Sequence, residues 1–390
     1  MSEPTEATVT LVPAVSEIDA AAWDQCANPD ASACNPFVAH AFLKALEDAG
    51  CVGQGTGWLP RHLVLTDENG MIAGVAPSYV KTHSQGEYVF DHGWADAYTQ
   101  AGGRYYPKLQ MAVPFTPVPG PRLMVRRGPR ASADEQFLAA AAIEVARQNG
   151  LSSVHLTFLD SDAQQRLGEL GFLARTGQQF HWHNKGYRDF EDFLDGFASR
   201  KRKTVRKERI EALAPGITVE HLTGRAITDT HWDSIFEFYM DTSSRKWGRP
   251  YLNRKFFSVL GQSMSEHCLL VMAKRDGRYI AGALNMIGGD CLYGRYWGAV
   301  EQHPSLHFEV CYYQAIEYAI SHGLARVEAG AQGEHKLARG YLPVETYSAH
   351  WIADLALKRA IEKFLRQERE HVVASNAELA GMGPYRNEQD

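Results

Sequence analysis

The spacing of hydrophobic and polar residues predicts alternating strands and helices in the first half of the chain. Apolar residues follow the helical period near 3.6 in some segments and the two-residue period of a strand in others. Asn69-Gly70 lies between the apolar runs 61–66 and 71–76, a combination typical of a β-hairpin. The other predicted elements are helices at 37–49, 133–148 and 163–170 and strands at 9–12, 153–158 and from 172 onward.

The second half repeats this order of elements. Asp276-Gly277 separates two apolar runs and predicts a second hairpin. Helices are predicted at 190–197, 204–213, 232–241 and 307–322, and strands at 269–273, 279–287, 292–297 and 325–330. The matching order indicates two copies of one α/β (α+β) unit. We place the domains at 1–185 and 186–376 and predict a flexible tail at 377–390, because few large apolar residues lie there.

The composition narrows the class of protein. A chain of 390 residues with 45% hydrophobic and 22% charged residues is expected to be a soluble, globular protein of more than one domain. A net charge of −6 does not favour binding of nucleic acid by the surface as a whole. We expect a cytoplasmic protein without a membrane span, since no apolar run reaches about 20 residues and residues 1–6 do not resemble a secretion signal.

The segment 327–341, VEAGAQGEHKLARGY, holds the densest set of chemical groups in the chain. Its glycines allow close approach of a ligand or a positive φ, and the pattern predicts a strand end that leads into a binding loop. The polar side chains could orient an amine, accept its proton or bind phosphate. The alternative is a surface loop with an internal salt bridge between Glu328 and Arg339. The candidates are Glu328, Gln332, Glu334, His335, Lys336, Arg339 and Tyr341.

A second candidate region joins the predicted strand at 292–297 to the helix that follows. A helix start offers free N–H groups to an anion. Glu309 in the first turn could instead have no role beyond a favourable interaction of its charge with the helix dipole. Histidines near this turn leave a metal site open as an alternative, but the spacing lacks a metal-binding helix motif, and we expect no metal. The candidates here are Arg295, Tyr296, Trp297, His307 and Glu309.

Two further regions carry unusual composition. Residues 200–209, RKRKTVRKER, place seven cations in ten positions, which predicts either a solvated helix face or a site for phosphates of a carrier or of RNA. Residues 90–122 mix aromatic, polar and proline residues, which suggests one wall of a cleft or packing between the two halves. The candidates are Arg200, Lys201, Arg202, Lys203, Arg206 and Lys207 for phosphate, and His92, Trp94, Arg104 and Tyr105 for substrate.

Several phrases across the chain together resemble the FemAB-like family of predicted N-acyltransferases, within the GNAT superfamily. The phrases are HGWADAY (92–98), GGRYYPKLQ (102–110), VPFTP (113–117), RPYL (249–252), GRYWG (294–298), LHFE (306–309), EAGAQGEHK (328–336) and RGY (339–341). The basic helix also resembles the one that opens the second domain of Fem aminoacyltransferases. The resemblance implies two tandem GNAT-like domains, each a mixed, mostly antiparallel sheet flanked by helices.

The same resemblance implies an enzyme that moves an acyl or aminoacyl group to a small-molecule or peptide amine, and the family is linked to peptidoglycan. Glu328, Glu309 or His335 would accept the proton of the amine, and Arg295, Lys336 and Arg339 would bind negative charge. The donor is acyl-CoA or aminoacyl-tRNA, so tRNA is an expected partner in the second case. The alternative is a non-catalytic module that binds tRNA or a peptide on a degenerate GNAT scaffold.

Overall fold

The computed structural model describes residues 7–214, 216–245, 250–330 and 333–386, so Gln332, Arg249 and residues 1–6 lie outside the described residues. The chain forms two compact units. Unit 1 consists of Met1–Ala31, Phe37–Gly177 and Glu345–Ala374, and unit 2 consists of Ser32–Pro36, Gln178–Val344 and Ser375–Asp390.

The elements of each unit alternate between strands and helices. In unit 1 the strands are β1 (Thr8–Val12), β2 (Trp58–Pro60), β3 (His62–Thr66), β4 (Ile72–Ala76), β5 (Ser78–Lys81), β6 (Lys108–Met111), β7 (Met124–Val125) and β8 (Ser153–Leu159). Its helices are α1 (Ala20–Ala27), α2 (His40–Asp48), α3 (His92–Gln100), α4 (Ala131–Gln148) and α5 (Ser161–Glu169). Strand β9 (Leu173–His183) has residues in both units.

Unit 2 contains the helices α6 (Phe190–Asp195), α7 (Ser199–Leu213), α8 (Asp229–Arg245), α9 (Arg254–Met264), α10 (Leu306–Phe308) and α11 (Gln314–Ser321). Its strands are β10 (Thr218–Thr223), β11 (Cys268–Arg275), β12 (Arg278–Ile287), β13 (Cys291–Ala299) and β14 (Arg326–Glu328). A 3₁₀ helix at Glu334–Arg339 follows. Strand β15 (Leu342–Ile352) and helix α12 (Leu355–Gly381) then have residues in both units.

The sheets are mixed and mostly antiparallel, as the sequence predicted. In unit 1, β1, β3, β4 and β7 pair antiparallel, while β2, β5 and β6 pair antiparallel and β6 runs parallel to β8. In unit 2, β10 to β13 pair antiparallel in chain order, β13 runs parallel to β14, and β14 pairs antiparallel with β9. The predicted α/β class is confirmed.

Local turn chemistry explains both hairpins. Between β3 and β4 the Asp67 carboxylate accepts the backbone N–H of Asn69 at 3.0 Å and of Met71 at 2.9 Å. Between β11 and β12, Asp276 and Gly277 have φ of 50° and 77°. Two successive residues with positive φ match the twist of a two-residue hairpin. The hairpins predicted at these positions are therefore confirmed.

The helix predicted at 307–322 is present but is not uniform. Its first half forms a π-helical segment at Glu309–Tyr313 between α10 and α11. It ends before Gly323, whose φ of 65° suits a glycine. A π segment widens the helix by one residue, so the periodicity of the sequence could not reveal it.

Each unit has its own hydrophobic core. The core of unit 1 packs α4 and α5 against the sheet through residues such as Leu138, Leu156 and Leu167. The core of unit 2 packs α6, α7 and the helix at 306–321 against β11 to β14, with Phe193, Val271 and Ile316 fully buried. The apolar run in β11 fits a strand that is buried on both faces, whereas β8 alternates polar and apolar residues although all seven are buried.

The units differ from the domain boundaries that the sequence suggested. Residues Glu345–Ala374 cluster with unit 1 although they lie near the C-terminus. The predicted flexible tail also contains ordered structure: α12 extends to Gly381, and the Tyr385 ring packs on Phe197 with centroids 5.2 Å apart. Within 377–386 the predicted tail therefore contains helix and an aromatic contact that its composition did not indicate.

Candidate active site

Glu328 ends strand β14 and is buried. Its Oε1 accepts from Arg326 Nε at 3.3 Å. Its Oε2 lies 3.9 Å from Arg295 Nη2 and accepts no hydrogen bond from the residues that the structure describes. Burial raises the pKa of Glu328 above its usual value, and the two guanidinium groups oppose that shift. The carboxylate thus keeps one oxygen open for a donor.

Arg295 reaches Glu328 because of a bulge in strand β13. Leu284 pairs with Tyr296 and Asn285 with Gly294, so Arg295 is the extra residue between them. A bulge re-aims a side chain and commonly lies beside a functional site. Nη1 of Arg295 donates to the Gly294 carbonyl at 2.8 Å. Burial lowers the pKa of Arg295 and Glu328 raises it, which leaves it below the usual value.

Lys336 lies in the 3₁₀ helix and is almost fully buried. Its Nζ donates to the Gly330 carbonyl at 3.0 Å. Burial lowers the pKa of Lys336 to about 7, and the charge on Arg295 adds to the shift. An amine with such a pKa is partly neutral at physiological pH, which suits proton exchange.

His335 occupies the exposed side of the same turn. Its Nε2 lies 2.8 Å from the Tyr312 hydroxyl. Burial, Lys336 and Arg339 together lower the pKa of His335, which favours the neutral ring at pH 7. Gly333 permits this arrangement, because its φ is 115° and a Cβ there would lie 2.4 Å from the His335 ring.

Arg339 does not pair with Glu328, which corrects the salt bridge considered from the sequence. Its Nη2 donates to Glu208 Oε1 on α7 at 2.8 Å, and its Nη1 donates to the His335 carbonyl at 2.6 Å. The guanidinium carbon lies 3.3 Å from the centroid of the Phe308 ring. These contacts hold Arg339 in the turn, while its buried Nε–H makes no hydrogen bond to the described residues, so its binding of an anion stays a prediction.

Glu309 is completely buried in the π-helical segment. Arg209 donates to Oε1 at 2.9 Å through Nη2 and to Oε2 at 3.1 Å through Nε. Gln314 donates to Oε1 at 2.7 Å. Both oxygens are therefore occupied, and this geometry favours a structural ion pair over a proton acceptor for a substrate.

The aromatic candidates of this region separate into two groups. Trp297 and His307 pack with ring centroids 5.2 Å apart, and His307 also lies 6.0 Å from His335. Tyr296 instead packs against Tyr239 of α8 at 5.3 Å. Tyr341 is fully buried, and its hydroxyl donates to the Tyr312 carbonyl at 3.5 Å, so its assignment to substrate stays a prediction.

The cations of helix α7 also separate into groups. Arg202 and Arg206 form exposed ion pairs with Asp195 and Glu191. Among the residues that the structure describes, four other cations of the helix have no ion pair: Arg200, Lys201, Lys203 and Lys207. The sequence, which grouped six cations together, could not make this distinction because it depends on which acidic residues fold next to the helix.

A cavity of about 390 Å³ lies beside α7. It is lined by Arg200, Lys201, Thr204, Val205, Glu208 and Ala338. The cavity therefore joins two of the unpaired cations to the 3₁₀ helix that carries Lys336 and His335. Glu334 is exposed on the first position of that helix.

The candidates in unit 1 are divided between surface and core. His92 and Arg104 are exposed. Trp94 is buried, with its ring 5.1 Å from that of His350, and the buried Tyr105 donates to Asp91 at 2.7 Å. Trp94 and Tyr105 thus lie in a hydrophobic cluster of unit 1, and their assignment to substrate stays a prediction.

Tyr105 belongs to a buried charged network that the sequence did not indicate. Lys108 Nζ donates to Asp91 at 2.5 Å, Glu87 at 2.8 Å and Ser84 at 2.9 Å. Lys108 stands within the phrase 102–110, but nothing in its spacing marks it as buried. Burial opposes the charge of Lys108, yet the two carboxylates raise its pKa.

In 7–214, 216–245, 250–330 and 333–386, no three His, Cys, Asp or Glu side chains are grouped as metal ligands. Over the same ranges, no helix is long and apolar enough to cross a membrane.

Similar folds occur among solved structures. FemX matches with 15% identity and a TM-score of 0.55, covering 92% of this chain and 100% of its own. The C-terminal domain (DUF2156) of a putative lysylphosphatidylglycerol synthetase from Agrobacterium fabrum matches with 11% identity and a TM-score of 0.53, covering 91% and 97%. A tandem GNAT protein from the clavulanic acid biosynthesis pathway matches with 12% identity and a TM-score of 0.46, covering 90% and 99%. At such identities the likeness shows the fold alone.

Sequence comparison identifies the family. No curated protein sequence matches the chain. The FemAB-like family model, described as peptidoglycan biosynthesis/recognition, matches residues 14–387. That match covers nearly the whole chain and includes every phrase on which the resemblance was based. This chain therefore belongs to the FemAB-like family.

Proposed function

We propose that this protein is an N-acyltransferase that moves an acyl or aminoacyl group from an activated carrier to an amine. The observation that carries the proposal is the buried carboxylate of Glu328, which keeps an open oxygen beside the Arg295 guanidinium. A buried carboxylate with a raised pKa is a stronger base than one in water. Membership of a family described by peptidoglycan biosynthesis/recognition supports this chemistry.

The reaction needs one proton acceptor and one site for developing negative charge. The amine nitrogen attacks the carbonyl carbon, and the carbonyl π electrons move to oxygen. Glu328 Oε2 takes the N–H proton as the C–N bond forms. The oxyanion then re-forms the carbonyl as the bond to the carrier breaks, and the leaving thiolate or alkoxide takes the proton from Glu328, which restores the carboxylate. His335 is a second candidate for the base, because its pKa is lowered and its ring is neutral at pH 7.

Arg295 and Lys336 suit the stabilisation of the oxyanion. Both are buried, and Lys336 would contribute in its charged form, because a cation in a site with little water stabilises developing charge more strongly than one at the surface. Arg339 holds the turn at 334–339 through its hydrogen bonds to Glu208 and to the His335 carbonyl.

The cavity beside α7 is the proposed site for the carrier. Arg200 and Lys201 face it, and phosphate groups of acyl-CoA or of aminoacyl-tRNA would bind there. Lys203 and Lys207 extend the unpaired positive charge along the same helix. Both carriers and a peptide or small amine acceptor fit a cytoplasmic enzyme, as the sequence predicted.

The alternative is a non-catalytic module that binds tRNA or a peptide. That module needs phosphate-binding cations but no organised group around a buried carboxylate. The bulge at Arg295, which places its guanidinium beside the buried Glu328 carboxylate, favours the enzyme, because bulges commonly lie beside active sites.

Thermal-shift measurements with acyl-CoAs and charged tRNAs identify the donor first, since a ligand of the native state raises the melting temperature. Transfer is then measured with that donor and a panel of peptide amines. We expect Glu328→Gln to lower kcat by about 10²–10⁴-fold, the range for loss of a general base. The matched control is Glu309→Gln, which removes another buried carboxylate of unit 2, in the π-helical segment, and should keep kcat within about threefold. Full activity in Glu328→Gln would refute the assignment.

A further inference from the structure

Glu208 connects the cavity beside α7 to the turn at 334–339. It lines the cavity together with Arg200 and Lys201. Its Oε1 accepts from Arg339 Nη2 at 2.8 Å, and its Oε2 accepts a short hydrogen bond from the Tyr313 hydroxyl. One carboxylate thus joins three elements, namely α7, the π-helical segment and the 3₁₀ helix. It was not among the candidates from the sequence, where it stands as one acid in a basic run.

Arg339 in turn contacts the backbone of His335. Its Nη1 donates to the His335 carbonyl at 2.6 Å, and the guanidinium is stacked on Phe308. The stack and the two hydrogen bonds hold the guanidinium between the Glu208 carboxylate and the His335 carbonyl.

We propose that Glu208 is a positioning residue that couples the binding of an anion in this cavity to the position of His335. An anion held by Arg200 and Lys201 places a second negative charge beside the Glu208 carboxylate. The two like charges repel, while both attract Arg339. Occupancy therefore changes the geometry of the Glu208–Arg339 pair and, through the second guanidinium nitrogen, the turn that carries His335.

This inference rests on the proposed function, because it assigns the cavity to the phosphates of the carrier. It adds a step to that function: the turn with His335 and Lys336 takes its working position when the carrier phosphate arrives. A carrier without an anionic group in the cavity would then bind without moving the turn.

The test is NMR of the full-length protein labelled with ¹³C in the histidine rings, with inorganic pyrophosphate as the probe. The His335 resonance is assigned as the one that disappears in His335→Ala. At constant ionic strength we expect it to move along a saturable curve as pyrophosphate is added. In Glu208→Gln the movement at saturation should fall at least threefold, while pyrophosphate binds about 2- to 10-fold more tightly because a like charge has been removed.

Glu211→Gln is the matched control. Glu211 lies on the same helix, is exposed, and accepts a hydrogen bond from Ser305 rather than lining the cavity. It should show the wild-type movement. Arg339→Lys, which keeps the charge but not the planar contact, should lose the movement as Glu208→Gln does, and it serves if Glu208→Gln does not fold.

The outcomes separate the two proposals. Saturable binding with an unmoved His335 resonance, or with equal movement in Glu208→Gln, overturns the coupling and leaves the assignment of the cavity intact. Absence of saturable pyrophosphate binding overturns both the coupling and the carrier site. A resonance that moves equally in response to sodium chloride would identify a general salt effect and would also overturn the coupling.

Discussion

Replacement of Arg209 by alanine tests whether the ion pair at Glu309 stabilises the fold. Arg209 donates to both oxygens of Glu309 and also to Glu317 at 2.7 Å. The Glu309 side chain is 0% exposed and that of Arg209 is 22% exposed. Arg209→Ala would leave a buried carboxylate with Gln314 as its remaining donor among the contacts described above.

The expected loss of stability follows from the burial of the pair. Removal of one partner of a buried ion pair costs about 3–5 kcal/mol, because the other charge remains buried without compensation. The partial exposure of Arg209 places the value near the lower limit, about 3 kcal/mol. Its guanidinium also lies 4.4 Å from the Phe190 ring centroid, and loss of that contact adds about 0.5 kcal/mol.

Arg206→Ala is the matched control for this measurement. Arg206 stands one turn earlier on the same helix and pairs with Glu191, but the two side chains are 46% and 62% exposed. An exposed pair contributes about 0–1 kcal/mol and weakens in salt. Both variants are compared with the wild type by urea unfolding, followed by tryptophan fluorescence at 0.1 and 0.5 M sodium chloride.

We expect Arg209→Ala to shift the unfolding midpoint strongly and equally at both salt concentrations. Arg206→Ala should cause a small shift that disappears in high salt. Equal losses in the two variants would refute the reasoning, because they would mean that burial of Glu309 does not determine the cost. A stable Arg209→Ala with reduced kcat would instead restore Glu309 as a candidate base.

Three other predictions follow from particular positions. Gly333→Ala should lower the free energy of unfolding by about 1–3 kcal/mol, measured by thermal melting, and displace the His335 NMR signal. The reason is that φ is 115° and the new Cβ would lie 2.4 Å from the His335 ring. An unchanged melting temperature would contradict this prediction. Gly298→Ala should lower the free energy of unfolding by more than about 3 kcal/mol or prevent folding, since its Cβ would lie 1.9 Å from the Phe238 carbonyl oxygen. Soluble expression with a normal melting curve would refute this prediction. Burial, with the Lys108 charge, lowers the pKa of His155 to about 3, so the stability that the neutral ring contributes is present above pH 6.5 and is lost as the pH falls toward 3. The urea midpoints at pH 7 and pH 4.5 should therefore differ less in His155→Gln than in the wild type. Equal differences would show that His155 does not cause the loss of stability at low pH.

The sequence determined the class of fold and the position of most elements. Both hairpins were fixed by Asn-Gly and Asp-Gly turns, whose backbone preference acts over four residues and needs no tertiary contact. The repeated order of helices and strands gave two α/β units. It also singled out the segment 327–341 by its density of glycines and charges, although several of those side chains are buried in the structure.

The roles of single side chains within that segment could not be read in the same way. Lys336 and Tyr341 are buried although Glu334, close in sequence, is exposed. Arg339 pairs with a residue of α7 more than a hundred positions earlier. Such pairs depend on packing between elements, so one sequence without its fold leaves several partners equally acceptable.

The sequence alone thus determined the turns, the helical and strand periods and the position of the polar segment 327–341, since these depend on neighbours in sequence. Tertiary structure alone decided which carboxylate keeps an open oxygen, which cations of α7 stay unpaired and which charges are buried in unit 1. Burial and ion pairing are set by distances across the fold. A displacement of a few ångströms therefore changes which charges are paired and which pKa values are shifted.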